Sequence, residues 1–250
     1  MALQREDYKY HIIKKFIIRL DFQELFESDI TDAVRAVREY FVAREFKVKS
    51  IAQRNIHINL NDNNNPDNDV DISSDTISQP LIQLSKDEVE ISISRTTLIL
   101  NVKANEKYKR FEAYHLLLEP IIKTLTERYG DFLQLDRLGL RKVNQIFVLN
   151  NIETVKKLFN PNLLSCCELY KTISPEGSEL LSNNVSLIVK RGEIGSNINA
   201  SIQSGTCSVE EKPTVAHLVV LDFDAFIDRK SDCNLDFSPD WIFKSIVNLN

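Results

Sequence analysis

Stretches in which apolar and polar residues alternate recur from one end of the chain to the other, and a period of two buries its apolar side only as a strand lying against a core. Residues 11–22, HIIKKFIIRLDF, are dense in β-branched and aromatic side chains and end in a polar switch at Asp21 and Gln23, which predicts a mostly buried strand. Phe46, Val48, Ile56, Ile58 and Leu60 share one parity and Ile51 takes the other, so a second strand is expected over 46–60 with a bulge at 50–53. Val89, Ile91 and Ile93, then Leu98, Leu100 and Val102, give two short runs with residues 94–96 as a tight connection, a hairpin. Further strands are predicted through Leu138, Leu140, Val143, Ile146 and Val148, and over 185–190, 198–203 and 215–226.

Helical spacing interrupts this pattern. Ser28 or Asp29 offers an N-cap, and Ile30, Val34, Val37 and Phe41 make one apolar stripe to about Ala43. Asn105 opens a second helical run through Tyr108, Phe111, Leu118, Ile121, Ile122 and Leu125, stopped by Gly130. Pro120 lacks the donor for the Leu116 carbonyl, so this run must kink or form two helices end to end. Shorter helices are expected at 152–159 and from Asp240. Residues 61–80, NDNNNPDNDVDISSDTISQP, are too polar to pack and read as a long mobile loop.

The order strand, helix, strands, helix occurs twice. It predicts an α+β fold of two related halves, 1–130 and 131–250, with antiparallel sheets covered by helices in one globule. A length of 250 residues suffices to bury a core without disulfides. Cys166, Cys167, Cys207 and Cys233 show no zinc-type spacing and are expected as reduced thiols, a vicinal Cys166–Cys167 disulfide being the alternative. No apolar run approaches the roughly 20 residues of a membrane span, and MALQREDYKYH lacks the apolar stretch of a secretion signal, so the cytoplasm and no membrane partner are expected. A net charge of −5 opposes phosphate backbones, which leaves nucleic acid only a local basic patch.

The segment DRLGLRKVNQI, 136–146, is the most specific. On a strand, Arg137, Gly139 and Arg141 share one face, so two guanidinium groups flank a position without a side chain. Either a ligand or another backbone approaches there, with Lys142 and Asn144 beside it, or the glycine serves packing and both arginines pair with carboxylates. The change of parity between Leu140 and Val143 predicts a bulge. Asp222 and Asp224 lie two apart on one face, with Asp228 near, and are weak candidates for a divalent cation. Asp67, Asp69, Asp71 and Ser73 imitate the start of a calcium loop, but Ile72 stands where glycine is needed and Ser78 where the bidentate glutamate belongs.

His11, His57, His115 and His217 all fall in expected strands or helices, and no G-x-S-x-G elbow occurs. The six glycines form no phosphate-cradling cluster. No catalytic set, cofactor or metal is therefore expected. Lys190 and Arg191 before Gly192, with Gly195 beyond, read as a basic hairpin tip that faces phosphate or water.

GLRKVNQI at 139–146 resembles the GLRYINRI-type signature of a sporadically distributed family of bacterial proteins without an established activity. IIRLDF at 17–22 resembles that family's opening strand, and VVLDFDAF at 219–226 its late strand. Lys142 stands where the family carries an aromatic residue and Gln145 where it carries arginine, and the family continues through a longer C-terminal helix. The resemblance implies a bacterial setting, compatible with mobile-element or phage-defence functions. Together these readings favour a non-enzymatic recognition protein whose partner is another protein or a second copy of itself. The other reading is a nucleotide or nucleic-acid binder, with or without hydrolysis, working through Arg137 and Arg141 around Gly139.

Overall fold

The computed structural model describes residues 13–53, 79–104, 111–130, 132–149, 182–209, 211–229 and 235–250. In chain order these form β1 (Ile13–Phe22), α1 (Glu27–Val42), β2 (Lys47–Gln53), β3 (Gln79–Lys86), β4 (Val89–Ile93), β5 (Thr97–Lys103), α2 (Glu112–His115), α3 (Glu119–Tyr129), β6 (Leu135–Leu149), β7 (Ser182–Arg191), β8 (Ile194–Val209), β9 (Lys212–Asp228) and α4 (Pro239–Leu249). The predicted strand over 54–60, most of the loop 61–80, the helix at 152–159, His11, His57, the Asp67–Ser73 pattern and Cys166, Cys167 and Cys233 lie outside the described residues.

The α+β reading holds, but the sheets merge into one. Nine strands run in the order β2-β3-β4-β5-β1-β6-β9-β8-β7, and every described pairing is antiparallel. Alternation decides the faces. Phe16, Ile18, Leu20 and Phe22 of β1 point to one side, where they meet Leu98, Leu100 and Val102 of β5 and Leu138 and Leu140 of β6. Onto the same side pack Ile30, Val34, Val37 and Phe41 of α1, Ile121, Ile122 and Leu125 of α3, and Ile242, Ile246 and Leu249 of α4. Val148, Ala200, Ile202, Val219 and Leu221 make a smaller cluster toward the far end of β6, β8 and β9.

Local chemistry sets the helix ends. α1 starts earlier than Ser28, and Asp29 acts from inside its first turn, its carboxylate accepting the Phe26 N–H at 3.0 Å. Pro120 sits in the first turn of α3, where a missing N–H costs nothing, and a 3₁₀ turn at Leu116–Leu118 separates α3 from α2. The Ser238 hydroxyl accepts the Trp241 N–H at 3.4 Å and starts α4.

Two expected bulges are absent, and one loop boundary moves. The β2–β3 register is continuous from Lys47 to Gln53, so the change of parity between Val48 and Ile51 involves no bulge. The β6–β9 register is likewise continuous from Arg137 to Leu149, and Val143 faces away from Leu140. Irregularity falls instead in the β1–β6 pair, between Ile13 and Lys15 and between Asp21 and Phe22. Gln79 and Pro80 belong to β3 rather than to the loop, with Pro80 opposite Ala52 on an edge strand.

Leu20 is 0% exposed and lies between Leu98 and Leu138 on neighbouring strands. Leu20→Ala should lower stability by about 2–5 kcal/mol, seen in urea as an earlier midpoint with an unchanged slope.

Candidate functional site

The face of the sheet opposite the helices carries the charged residues. Because every pairing is antiparallel and in register there, cross-strand partners line up in rows. One row runs Glu90, Asn101, Ile17, Arg141, Asp224, Asn197 across six strands, and the next runs Ser92, Ile99, Arg19, Gly139, Phe226, Gly195. At a strand spacing of ~4.8 Å each row spans about 24 Å. Lys15, Arg137, Asp224 and the β4, β5, β1 and β6 members of these rows line a groove of about 370 Å³. A second groove of about 590 Å³ adjoins it and shares Arg137, with Asp21, Asp136, Asn197, Phe226, Asp228 and Arg229 around it.

Arg137 lies along the face. Its guanidinium donates to Asp224 at 2.8 Å, although Asp224 lies opposite Arg141 and not opposite Arg137. On the way it sits 4.5 Å from the centre of the Phe226 ring, a cation–π contact. The ring itself leans across the next strand. A Cβ built on Gly195 would stand 2.6 Å from its Cζ, so only glycine lets the ring lie there, whereas a Cβ on Gly139 would meet nothing closer than 3.7 Å.

Each arginine of the face is paired. Arg19 donates to Asp21 at 2.7 Å, Arg137 to Asp224, and Arg141 grips Asp222 with both Nε and Nη2. The hydrogen bonds to Asp222, joined by its charge and that of Asp224, raise Arg141 above its ordinary pKa against the opposing effect of partial burial. Lys15 has no ion-pair partner among the described residues, and Glu90 accepts a hydrogen bond from Ser92 at 3.3 Å. Among the described residues two buried polar side-chain atoms are without partners, the Nε of Arg137 and the Oδ1 of Asn101. Both belong to residues lining the first groove.

The sequence-predicted residues thus divide. Arg137, Gly139 and Arg141 come together on the groove face, and Asp222 and Asp224, read as cation ligands, are the carboxylates that hold the arginines. Lys142 and Asn144 do not join them. Continuous register turns both to the helix face, where Lys142 donates to the Asn250 carbonyl at 2.6 Å and buried Asn144 to the Leu221 carbonyl at 3.3 Å. Among the described residues no group of three or more His, Cys, Asp or Glu is placed to hold a metal ion. No described helix is long and apolar enough to cross a membrane.

The described histidines are structural in setting. His115 is buried and stacked on Phe111 with ring centres 5.2 Å apart. His217 is also buried, with Nδ1 2.9 Å from the Ser204 hydroxyl, a contact between cross-strand partners with no carboxylate joining it. Cys207 is a free thiol. Lys190, Arg191 and Gly192 form the β7–β8 turn as expected, with Gly192 at φ +59°.

Sequence reasoning missed Lys15, Glu90, Asn101 and Phe226. A signal existed for the first, since Lys15, Arg19 and Asp21 share a parity in an otherwise apolar strand. Nothing local marks Asn101 or Glu90, which matter only because the register brings them beside Ile17. Neither models of known protein families nor curated proteins match the chain.

The two glycines give opposite expectations. Gly195→Ala drives the Phe226 ring from its seat and should cost about 1–3 kcal/mol. Gly139→Ala adds a Cβ at ordinary contact distance and should be neutral or stabilising by roughly 0.5–1 kcal/mol. Urea denaturation of both variants checks the pair.

Proposed function

We propose that the protein is a non-enzymatic recognition protein that receives a segment of another polypeptide in the groove over β5, β1 and β6. The observation that carries this reading is the pair of orphaned atoms, a donor at Arg137 Nε and an acceptor at Asn101 Oδ1, in a groove whose arginines are already neutralised. An occupant that satisfies both must accept a hydrogen bond over β6 and donate one over β5, on the two sides of β1. A peptide backbone offers an acceptor and a donor at every residue, and Ile17 and Ile99 offer apolar contact between the polar rows.

A phosphate at the Arg137 Nε would lie beside the Asp224 carboxylate that the same guanidinium already holds, and Arg141 is engaged by Asp222 through both Nε and Nη2. The nucleotide and nucleic-acid reading therefore draws less support from this face. The sheet order also supports treating 1–130 and 131–250 as two copies of one unit. In each half the first strand pairs with the last, β1 with β5 and β6 with β9, and the earlier strands follow outward. The groove then straddles the seam where the two first strands meet. A bacterial cytoplasmic role in mobile-element or phage defence remains an implication of the family resemblance.

Panning a random peptide display library against the protein tests the proposal. Enriched peptides should slow hydrogen exchange in residues 15–19, 97–101 and 137–141, and Asn101→Leu should weaken them about tenfold, the equivalent of 1.4 kcal/mol. Peptides that protect none of these strands overturn the reading, as does saturable binding of a mixed oligonucleotide pool that falls steeply with salt.

A further inference from the structure

The two edges of the sheet are built differently. At one end β2 is seven residues long, KVKSIAQ, with Lys47 and Lys49 on it, the charge that natural edge strands use against unwanted pairing. At the other end β7 is ten residues long, SNNVSLIVKR, and carries no charge before Lys190. Its inner side is paired to β8 through all ten positions, so its outer backbone groups form an open edge among the described residues. In the middle of that edge Leu187, Ile188 and Val189 are 41%, 84% and 46% exposed. An uncharged, regular, apolar edge strand is a template for another strand.

We infer that the occupant of this edge is the β7 of a second copy, paired antiparallel about a twofold axis through Ile188. The faces restrict the register. Ile188 lies opposite Asn197 and so belongs to the groove face with Asp224, whereas Leu187 and Val189 lie opposite Ile198 and Ser196 and belong to the helix face. An axis perpendicular to the sheet brings helix face beside helix face, so a residue must oppose one of its own parity. Centring on Ile188 meets this condition. Ile188 then opposes its own copy, Leu187 opposes Val189 on the helix side, and Lys190 and Arg191 oppose uncharged Ser186 and Val185.

Charge is compatible with this arrangement and disfavours others. A parallel in-register pairing would set Lys190 against Lys190 and Arg191 against Arg191, and an antiparallel register centred on Lys190 or on Arg191 would set that residue against its own copy. Seven residues a side, 185–191, make a ladder of about 23 Å. The product is one continuous sheet of two copies with all described helices on one side. The interface is distinct from the groove over β5, β1 and β6 and stands or falls independently of what that groove binds.

Sedimentation across a dilution series tests the inference. Mass should rise from the 28.8 kDa of one chain toward twice that value with concentration. Ile188→Lys opposes two like charges and should weaken association at least about tenfold, with an unchanged far-UV circular dichroism spectrum. The decisive sample mixes Ile188→Lys with Ile188→Glu, each monomeric alone, and the mixture should recover the dimer because opposite charges now face one another at the axis. A monomer at every concentration overturns the inference, and so does a dimer that Ile188→Lys leaves intact or that the mixture does not restore.

Discussion

Everything in this sheet hangs on the antiparallel seam between β1 and β6. It is the one junction joining β2 to β5 with β7 to β9 in the strand order. On the helix side the seam is a run of apolar rows, Leu98–Leu20–Leu138 and Leu100–Ile18–Leu140, all sealed from solvent. On the other side the same register sets Ile17 beside Arg141 and Arg19 beside Gly139. Core and groove are therefore one decision. Slipping β1 by one residue against either neighbour would send Ile18 and Leu20 to the open face and Arg19 into the core, so burial of those two side chains is what fixes the groove's geometry. The two irregularities at Lys15 and Phe22 bracket the regular stretch and confine strain to its ends.

The ions on the open face orient more than they stabilise. Arg141 is half exposed and its pair with Asp222 contributes on the order of 0–1 kcal/mol, the usual range for pairs open to water. Arg137 and Asp224 are more enclosed, at 31% and 24%, and there the Phe226 ring adds a wall 4.5 Å from the guanidinium. Phe226 stands between Gly139 and Gly195 in one row across three strands, and its ring takes the space over Gly195.

How far the sequence could be read follows from the range of the forces involved. Period-two and period-3.6 patterning reports burial, so β1, the β4–β5 hairpin, α1, the split at Pro120 and α4 were all legible, as was the shared face of Arg137, Gly139 and Arg141. The errors came where one apolar residue was asked to report register. Ile51 and Val143 each suggested a bulge, yet the β2–β3 and β6–β9 registers run through both without a break, and Val143, on central β6, simply shares the face of Arg141 and Lys15. Lys142 and Asn144 were grouped with Arg141 by proximity along the chain, which on a strand is the wrong metric, because neighbours in sequence point to opposite sides. Asn101, Glu90 and the choice of Asp224 over Asp228 as the partner of Arg137 depend on pairings between distant segments, and no local pattern encodes those.

A charge-balanced groove also differs in kind from a basic one. With Arg19, Arg137 and Arg141 each facing a carboxylate, the field cancels within a few ångströms, so distant charges are neither gathered nor repelled and long-range steering contributes little. On the proposed reading, discrimination arises at contact, from whether an occupant can meet a donor on β6 and an acceptor on β5 while covering Ile17 and Ile99 between them. A poor occupant would leave those buried polar atoms unpaired, a penalty that water cannot relieve once the groove is filled. Rigidity makes the penalty effective. The groove's lining is almost entirely strand, pinned from behind by a core at or near zero exposure, so the site cannot relax around a poor fit.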